Sequence, residues 1–163
     1  MRTLVLGAAV SGRAAASLAG RLQHEVSIYD RLSESTIPLR DMGYAVHSGA
    51  WSDRLLAGVD LVVASPGFPE HSDPVQRALD TGVEVISELE FGTRHLATPY
   101  VAVTGTNGKT TVTSTITDIL IESGVSAVSA GNIGTPVSGL GEDPAAVVVL
   151  EASSFQLRFI DRF

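Results

Sequence analysis

Cysteine is absent from the 163 residues, which excludes disulfides, thiolate metal sites and cysteine nucleophiles together and fits a reducing compartment. Basic residues are scarce: 11 Lys plus Arg stand against 18 Asp plus Glu, a formal net charge of −7. That balance argues against a generic nucleic-acid or anionic-membrane surface. Any anion site must then be local, built from backbone N–H groups and a few placed cations. No apolar run approaches the roughly 20 residues needed to span a bilayer. The opening MRTLVLGAAVSG has Arg2 before a short apolar run, the outline of a signal peptide. The run breaks at Ser11-Gly12 and a helical pattern follows, so a first strand and turn explain it better. Internal repeats, low-complexity tracts and long charge runs are also missing. The expectation is a soluble cytoplasmic protein.

What is present is apolar material, 44% of the residues with only 18% charged, enough to fold and to bury a core. Short runs rich in Val, Ile and Leu alternate with helix-like segments, the pattern of strands buried on both faces of a parallel sheet. Strands are expected at 3–7, 25–30, 44–48, 60–65 and 83–87, with helices at 12–22 and 73–82. In the second helix Asp73 can cap, Pro74 suits the first turn and Gly82 stops it. After RHLATP the alternation restarts, with strands near 100–104, 126–130 and 146–151. A boundary near residue 95 divides the chain into an α/β unit at 1–95 and a smaller one at 96–163.

The stretch VTGTNGKTTVTSTITDILIESG reads as strand, glycine turn and helix, with apolar positions at Val112, Ile116, Ile119 and Leu120 and an end at Gly124. Gly105 and Gly108 let the backbone curl so that successive N–H groups face one anion at the positive end of the following helix. Lys109, the only lysine in the chain, supplies the mobile cation. In such loops the hydroxyl after the lysine, here Thr110, completes the coordination of a nucleotide-bound magnesium ion. Val103 stands where the longer G-x-x-x-x-G-K-[ST] form has its first glycine, so G-x-x-G-K-T is what is present. The bland alternative is a tight strand-to-helix turn with an incidental lysine.

A second glycine turn opens the chain. In LVLGAAVSG, Gly7 and Gly12 match the outer positions of G-x-G-x-x-G and Ala9 replaces the middle one, which weakens a nicotinamide-cofactor reading. Asp30 lies where a ribose-binding acid would, or else caps a loop. Ser65 enters a Pro66-Gly67 turn at a strand end. Glu151 closes the apolar strand AAVVVLE, where a carboxylate beside a phosphate loop suits magnesium. Asn132, in SAGNIGTP, can offer both donor and acceptor; Ser153 and Ser154 can reach a metal or substrate, or cap the next turn.

Taken in order, SPG, ELEF, VTGTNGKTT, GNIG and EASSFQL resemble the Mur ligase family over essentially the whole chain. GTNGKTT belongs to the wider family, while GNIG followed by SSFQL is closer to its D-glutamate-adding branch. The resemblance implies a Rossmann-like parallel-sheet domain at 1–95 that binds the UDP part of UDP-N-acetylmuramoyl-L-alanine. It implies the first part of a P-loop central domain at 96–163, and a C-terminal domain absent from this sequence. It further implies an ATP- and magnesium-dependent ligase of peptidoglycan synthesis, acting as a monomer without nucleic-acid or membrane partners. The substrate carboxylate would become an acyl phosphate and be attacked by the amine of D-glutamate.

On that resemblance Gly105, Thr106, Asn107, Gly108, Lys109, Thr110 and Thr111 would hold ATP. Lys109 and Glu151 would be catalytic, and Thr110 and Glu151 would serve magnesium. Asn132 and Ser153 would face the substrate, and Asp30, Ser65, Pro66 and Gly67 would line the uridine-nucleotide site. Ala9 and Ala152 depart from the family pattern. The 163 residues alone are expected to turn over little or no substrate. The alternatives are a non-catalytic nucleotide-binding module and an NAD-dependent oxidoreductase resting on residues 3–30.

Overall fold

Eight strands form two separate parallel sheets in the computed structural model, which describes residues 1–141 and 144–163. The first sheet holds β1 (Arg2–Leu6), β2 (Glu25–Asp30), β3 (Ala45–Ser48), β4 (Leu61–Ala64) and β5 (Glu84–Ser87) in the order β3-β2-β1-β4-β5. The chain runs outward from β1 through β2 to β3, then returns to β4 on the other side of β1. The order therefore reverses between β1 and β4, and ligands of such sheets bind in the crevice at the carboxyl ends of those strands. The second sheet holds β6 (Tyr100–Val103), β7 (Ala127–Gly131) and β8 (Val147–Glu151) with β8 in the middle. All eight strands lie where the apolar runs predict them.

Both faces of the first sheet are covered. Val5, Ile28 and Val63 point to one face and pack with Ala15 and Ala19 of α1 (Val10–Arg21), Leu39 of α2 (Ser33–Asp41) and Phe91. Leu4, Leu6, Tyr29 and Val62 point to the other and meet Val75 and Ala78 of α3 (Asp73–Asp80). Each fully buried large apolar side chain contributes roughly 1.5–3 kcal/mol. The cap of α3 is Ser72 and not Asp73, which is the first helical residue, because the extended backbone that precedes a helix falls at Ser72.

Two helices lie outside the helical stretches named from the sequence. Helix α2 contains Pro38, which reads as a breaker; the Ser35 and Thr36 hydroxyls donate to the carbonyls of Leu32 and Ser33 and help hold the first turn. Helix α4 (Glu88–Thr93) is short and entirely buried, and it carries the chain from the first sheet to the second. Ser87 accepts from the Glu90 amide at 3.2 Å, the S-x-x-E capping pattern.

Helix α5 (Lys109–Glu122) departs from its expected amphipathicity. The residues buried against the second sheet are Thr113 and Thr117, and the Thr117 hydroxyl donates to the Thr113 carbonyl at 2.9 Å. Ile116 and Leu120 are half-buried, while Val112 and Ile119 face outward at 47% and 57% exposure. The helix thus presents threonines to β7 and β8.

Carboxylates of α4 join the two sheets. Glu90, fully buried, accepts from the amides of Arg162 and Phe163 and from the Arg94 guanidinium at 2.7 Å. Burial works to raise its pKa, but those donors outweigh it and hold the carboxyl below its ordinary value. Glu88, also fully buried, accepts from the Ser138 amide at 2.7 Å, while its second oxygen has no hydrogen-bond partner among the described residues. Burial raises the Glu88 pKa and the Ser138 donors oppose this only in part. No helix among the described residues is long and apolar enough to cross a membrane.

The two glutamates carry opposite signs. A carboxyl whose folded pKa exceeds its unfolded value near 4.5 contributes stability that is present below that pH and lost as pH rises through the folded pKa. Glu88→Gln keeps the acceptor oxygen and cannot ionise. Urea unfolding from pH 4.5 to about 8 should therefore show the variant gaining on its parent as pH rises; a difference independent of pH contradicts this.

Candidate functional site

Register decides which side chains meet. Val103, at the end of β6, pairs with Glu151, at the end of β8, and Glu151 pairs in turn with Gly131, at the end of β7. Three strands thus finish level. The phosphate-type loop follows the first, the Asn132 turn follows the third, and the carboxylate stands between them.

The loop has the backbone that its glycines imply. Gly105 and Gly108 both have positive φ, at +149° and +76°, and Gly108 is the left-handed N-cap of α5. The first-turn amides of α5 have no intrahelical acceptor, so they and the helix dipole offer a positive end to an anion. The Lys109 Nζ donates to the Gly105 carbonyl at 2.8 Å and the Thr106 carbonyl at 3.4 Å. The ammonium is thereby held over the loop it follows.

Glu151 is buried, with both oxygens engaged. Its Oε2 accepts from the Thr110 hydroxyl and its Oε1 from the Asn132 side-chain amide, each at 2.7 Å. The backbone agrees, since the Asn132 amide donates to the Glu151 carbonyl at 2.8 Å. A Cβ at Gly131 would collide with the Glu151 carbonyl oxygen, so only glycine lets that turn approach so closely. Magnesium takes hard oxygen ligands at 2.0–2.1 Å, usually one or two protein groups completed by phosphates and water. A hydroxyl and a carboxylate oxygen in hydrogen-bond contact at the mouth of an anion-binding loop fit that donor set. Among the described residues there is no group of three or more His, Cys, Asp or Glu that could hold a metal ion.

A cavity of about 520 Å³ opens over this arrangement and is lined by Thr104, Gly105, Thr106, Lys109, Asn132 and Ser153, with Ser154, Phe155 and Leu157 closing it. Ser153 therefore reaches the cavity, but its hydroxyl and amide both donate to the Gln156 Oε1 at 2.9 Å. Asn107 and Thr111 are exposed beside the loop and line no part of this cavity.

The residues expected at a nucleotide site in the first unit lie at the ends of β2 and β4. Asp30 accepts from the Ala8 amide at 2.7 Å and the Leu32 amide at 3.0 Å, so its carboxylate holds the first glycine turn against β2. Ser65 is buried beside Gly7, and its hydroxyl has no partner among the described residues. Ser65 and Pro66 line a second cavity of about 220 Å³ with Phe68, Ser87, Gln156 and Phe159; Gly67 is exposed in the turn and does not. Ser154 and Phe155 line both cavities. The motif SSFQL thus stands between them, and Phe155 and Gln156 are cavity-lining residues that the sequence reading leaves unassigned. The Glu70–Arg158 pair, at 2.6 and 2.7 Å, ties the loop after β4 to the same segment.

Comparison with known proteins gives this geometry a family. The model described as Mur ligase MurD-like, N-terminal domain matches residues 1–87, and the one described as Mur ligase middle domain matches residues 103–163. The chain belongs to the Mur ligase family.

Among curated members, the UDP-N-acetylmuramoylalanine–D-glutamate ligase of Desulfatibacillum aliphaticivorans is 41% identical over 169 residues, covering 99% of this chain and 38% of the relative. That of Syntrophus aciditrophicus is 46% identical over 125 residues, covering 76% of this chain and 28% of the relative. This Mur ligase chain therefore spans well under half the length of those relatives. Among solved structures, the murein peptide ligase of Psychrobacter arcticus superimposes with a TM-score of 0.56 at 23% identity, covering 95% of this chain and 38% of that one. The UDP-N-acetylmuramate-alanine ligase of Thermotoga maritima does so with a TM-score of 0.54 at 24% identity, covering 94% and 37%. These likenesses establish the fold. Family membership sets aside the NAD-dependent oxidoreductase alternative.

Because the Ala8 amide is buried and donates to Asp30, Asp30→Ala should leave it without an acceptor and cost about 1–3 kcal/mol. Urea unfolding measures this; an unchanged midpoint would show that the turn does not depend on Asp30.

Proposed function

We propose that this chain carries the ATP site and the UDP-substrate site of a cytoplasmic ligase that adds D-glutamate to UDP-N-acetylmuramoyl-L-alanine in peptidoglycan synthesis. The observation that carries the reading is the convergence of Lys109, Thr110 and Glu151 at the level ends of β6 and β8. Residues 105–111 cradle the phosphates of ATP, with Lys109 against the terminal ones. Thr110 and Glu151 hold magnesium, which when bound offsets the charge of the nucleotide phosphates. The domain division near residue 95 follows the two sheets, with Asp30, Ser65, Pro66 and Gly67 toward the uridine nucleotide and Ser153 at the wall it shares with the ATP cavity. The ligase acts as a monomer.

The chemistry needs such an arrangement. A carboxylate is a poor electrophile at neutral pH, and transfer of the γ-phosphoryl of ATP to it creates an acyl phosphate with a good leaving group. The amine of D-glutamate then attacks the acyl carbon, the amide bond forms, and inorganic phosphate leaves. The protein's share is positioning and charge stabilisation. The ammonium at the loop supplies a cation that moves with the phosphoryl group. The donor-rich backbone excludes the large reorganisation that water would need. The alternative of a non-catalytic nucleotide-binding module shares the same loop, and it differs in requiring no UDP-substrate site in the first unit.

Calorimetric titration of the chain with ATP and magnesium tests the reading. Lys109→Ala should weaken ATP binding by about 10- to 100-fold, the equivalent of one charge-assisted contact of about 1.5–3 kcal/mol. Equal affinity in parent and variant contradicts the phosphate-loop assignment. Binding of ATP without any binding of UDP-N-acetylmuramoyl-L-alanine favours the module.

A further inference from the structure

Of the side chains that line the cavity of about 520 Å³ over the second sheet, only Phe155 and Leu157 are hydrocarbon; the others are threonines, serines, Asn132 and Lys109. Phosphates are held by N–H groups and cations, so an apolar pair contributes nothing to them and serves another part of what the cavity holds. Leu157 is half-buried against the core that contains Leu89 and Leu150, and Phe159 packs against the core of the first sheet. Phe155 is left between the two cores, 62% exposed. A lone exposed aromatic is ordinary on a protein surface. Phe155 differs in lining both this cavity and the one of about 220 Å³ beside Ser65.

The turn that carries the ring is locked. Gln156, 2% exposed, accepts from the amide and the hydroxyl of Ser153 at 2.9 Å each, and the Leu157 amide donates to the Ser153 carbonyl at 3.0 Å. The short helical turn Gln156–Phe159 follows directly, and Arg158 within it is tied to Glu70 of the first unit. A side chain raised on so fixed a backbone gives up little further freedom when a ligand covers it, which favours contact.

In the reaction proposed above, the carboxylate that accepts the γ-phosphoryl group lies against the terminal phosphate, hence in the cavity beside Lys109. It belongs to an L-alanyl residue, and the carbon next to it bears a methyl group. That methyl therefore enters the same cavity, where the hydrocarbon side chains that can remove it from water are those of Phe155 and Leu157. We propose that Phe155, with Leu157 beside it, is the specificity-determining contact for the alanyl methyl group of the substrate. The inference rests on the UDP-substrate reading of the previous subsection. A methyl group more or less in an enclosed apolar pocket changes discrimination by about 10- to 200-fold. A wall of two side chains, open on its far side, belongs at the bottom of that range or just below it, at about 4- to 10-fold.

Calorimetric titration of this chain with UDP-N-acetylmuramoyl-L-alanine and with its glycyl analogue, each with a non-hydrolysable ATP analogue and magnesium present, tests the proposal. The parent should prefer the L-alanyl ligand by about 4- to 10-fold, and Phe155→Ala should reduce the preference to less than about twofold by weakening the L-alanyl ligand alone. Phe155→Leu, which keeps an apolar surface, should retain most of it. Because the ring is exposed, the urea midpoint of Phe155→Ala should match that of the parent, which separates lost contact from lost fold. Equal affinity of the parent for the two ligands overturns the inference alone, and so does a preference that survives in Phe155→Ala. An equal loss for both ligands in Phe155→Ala overturns it too, since the ring then touches a part that they share. A parent that binds ATP and neither ligand overturns the UDP-substrate reading, and the inference with it.

Discussion

The parallel pairing of β6, β8 and β7 is the constraint on which the site depends. It places Val103, Glu151 and Gly131 at one level, so that two loops of unrelated sequence reach the same carboxylate from opposite sides. Slipping a strand by one residue would turn Glu151 to the other face of the sheet and separate it from both Thr110 and Asn132. Val148, Val149 and Leu150 are buried on both faces, so the apolar run alone does not set the register. The contacts of Glu151 with Thr110 and Asn132 are made only in the observed one.

The electrostatics are local in a chain that is acidic overall. With a net charge of −7 the protein does not attract anions at long range, and the −4 charge of a nucleotide triphosphate must be met by what lies within contact. Under the proposed function the loop amides, the end of α5 and Lys109 would supply that, and Glu151 would hold a divalent cation in place of further basic side chains. The buried glutamates of α4 show the opposite use of carboxylates. Glu90 is ionised and satisfied by three donors, whereas Glu88 has one well-placed donor and an oxygen without a partner. Both fasten the second sheet to the first; the donors outweigh the cost of burying the charge at Glu90 and do not at Glu88.

Much of the fold could be read from the residues, because strands buried on both faces spell themselves as short Val/Ile/Leu runs, and all eight appear in the sequence as such. The strand, glycine turn and helix at 100–122 were equally legible, and Gly105 and Gly108 have the positive φ that the turn needs. Helix α4 was not, although Ser87 and Glu90 carry its capping pattern, because six residues give no periodicity to read. Helix α2 was hidden by Pro38. The outward face of α5 ran against the apolar pattern, since Thr113 and Thr117 are buried while Val112 and Ile119 are exposed. Within the site, Glu151 followed from its place at a strand end. The Asn132 contact and the Phe155–Gln156 wall did not, since both depend on which strands become neighbours across the sheet, and the chain order β6, β7, β8 conceals that β8 lies between the other two.

The central claim is that the phosphates of ATP sit at the second sheet, on the loop between β6 and α5, and not on the glycine turn that opens the chain. Titrating the isotopically labelled chain with a non-hydrolysable ATP analogue and magnesium, and following backbone amide resonances, tests it directly. The account predicts that the largest shifts fall on residues 105–110 and spread to Asn132 and Glu151. Shifts concentrated on Gly7 to Gly12, with the 105–110 loop unmoved, would contradict it.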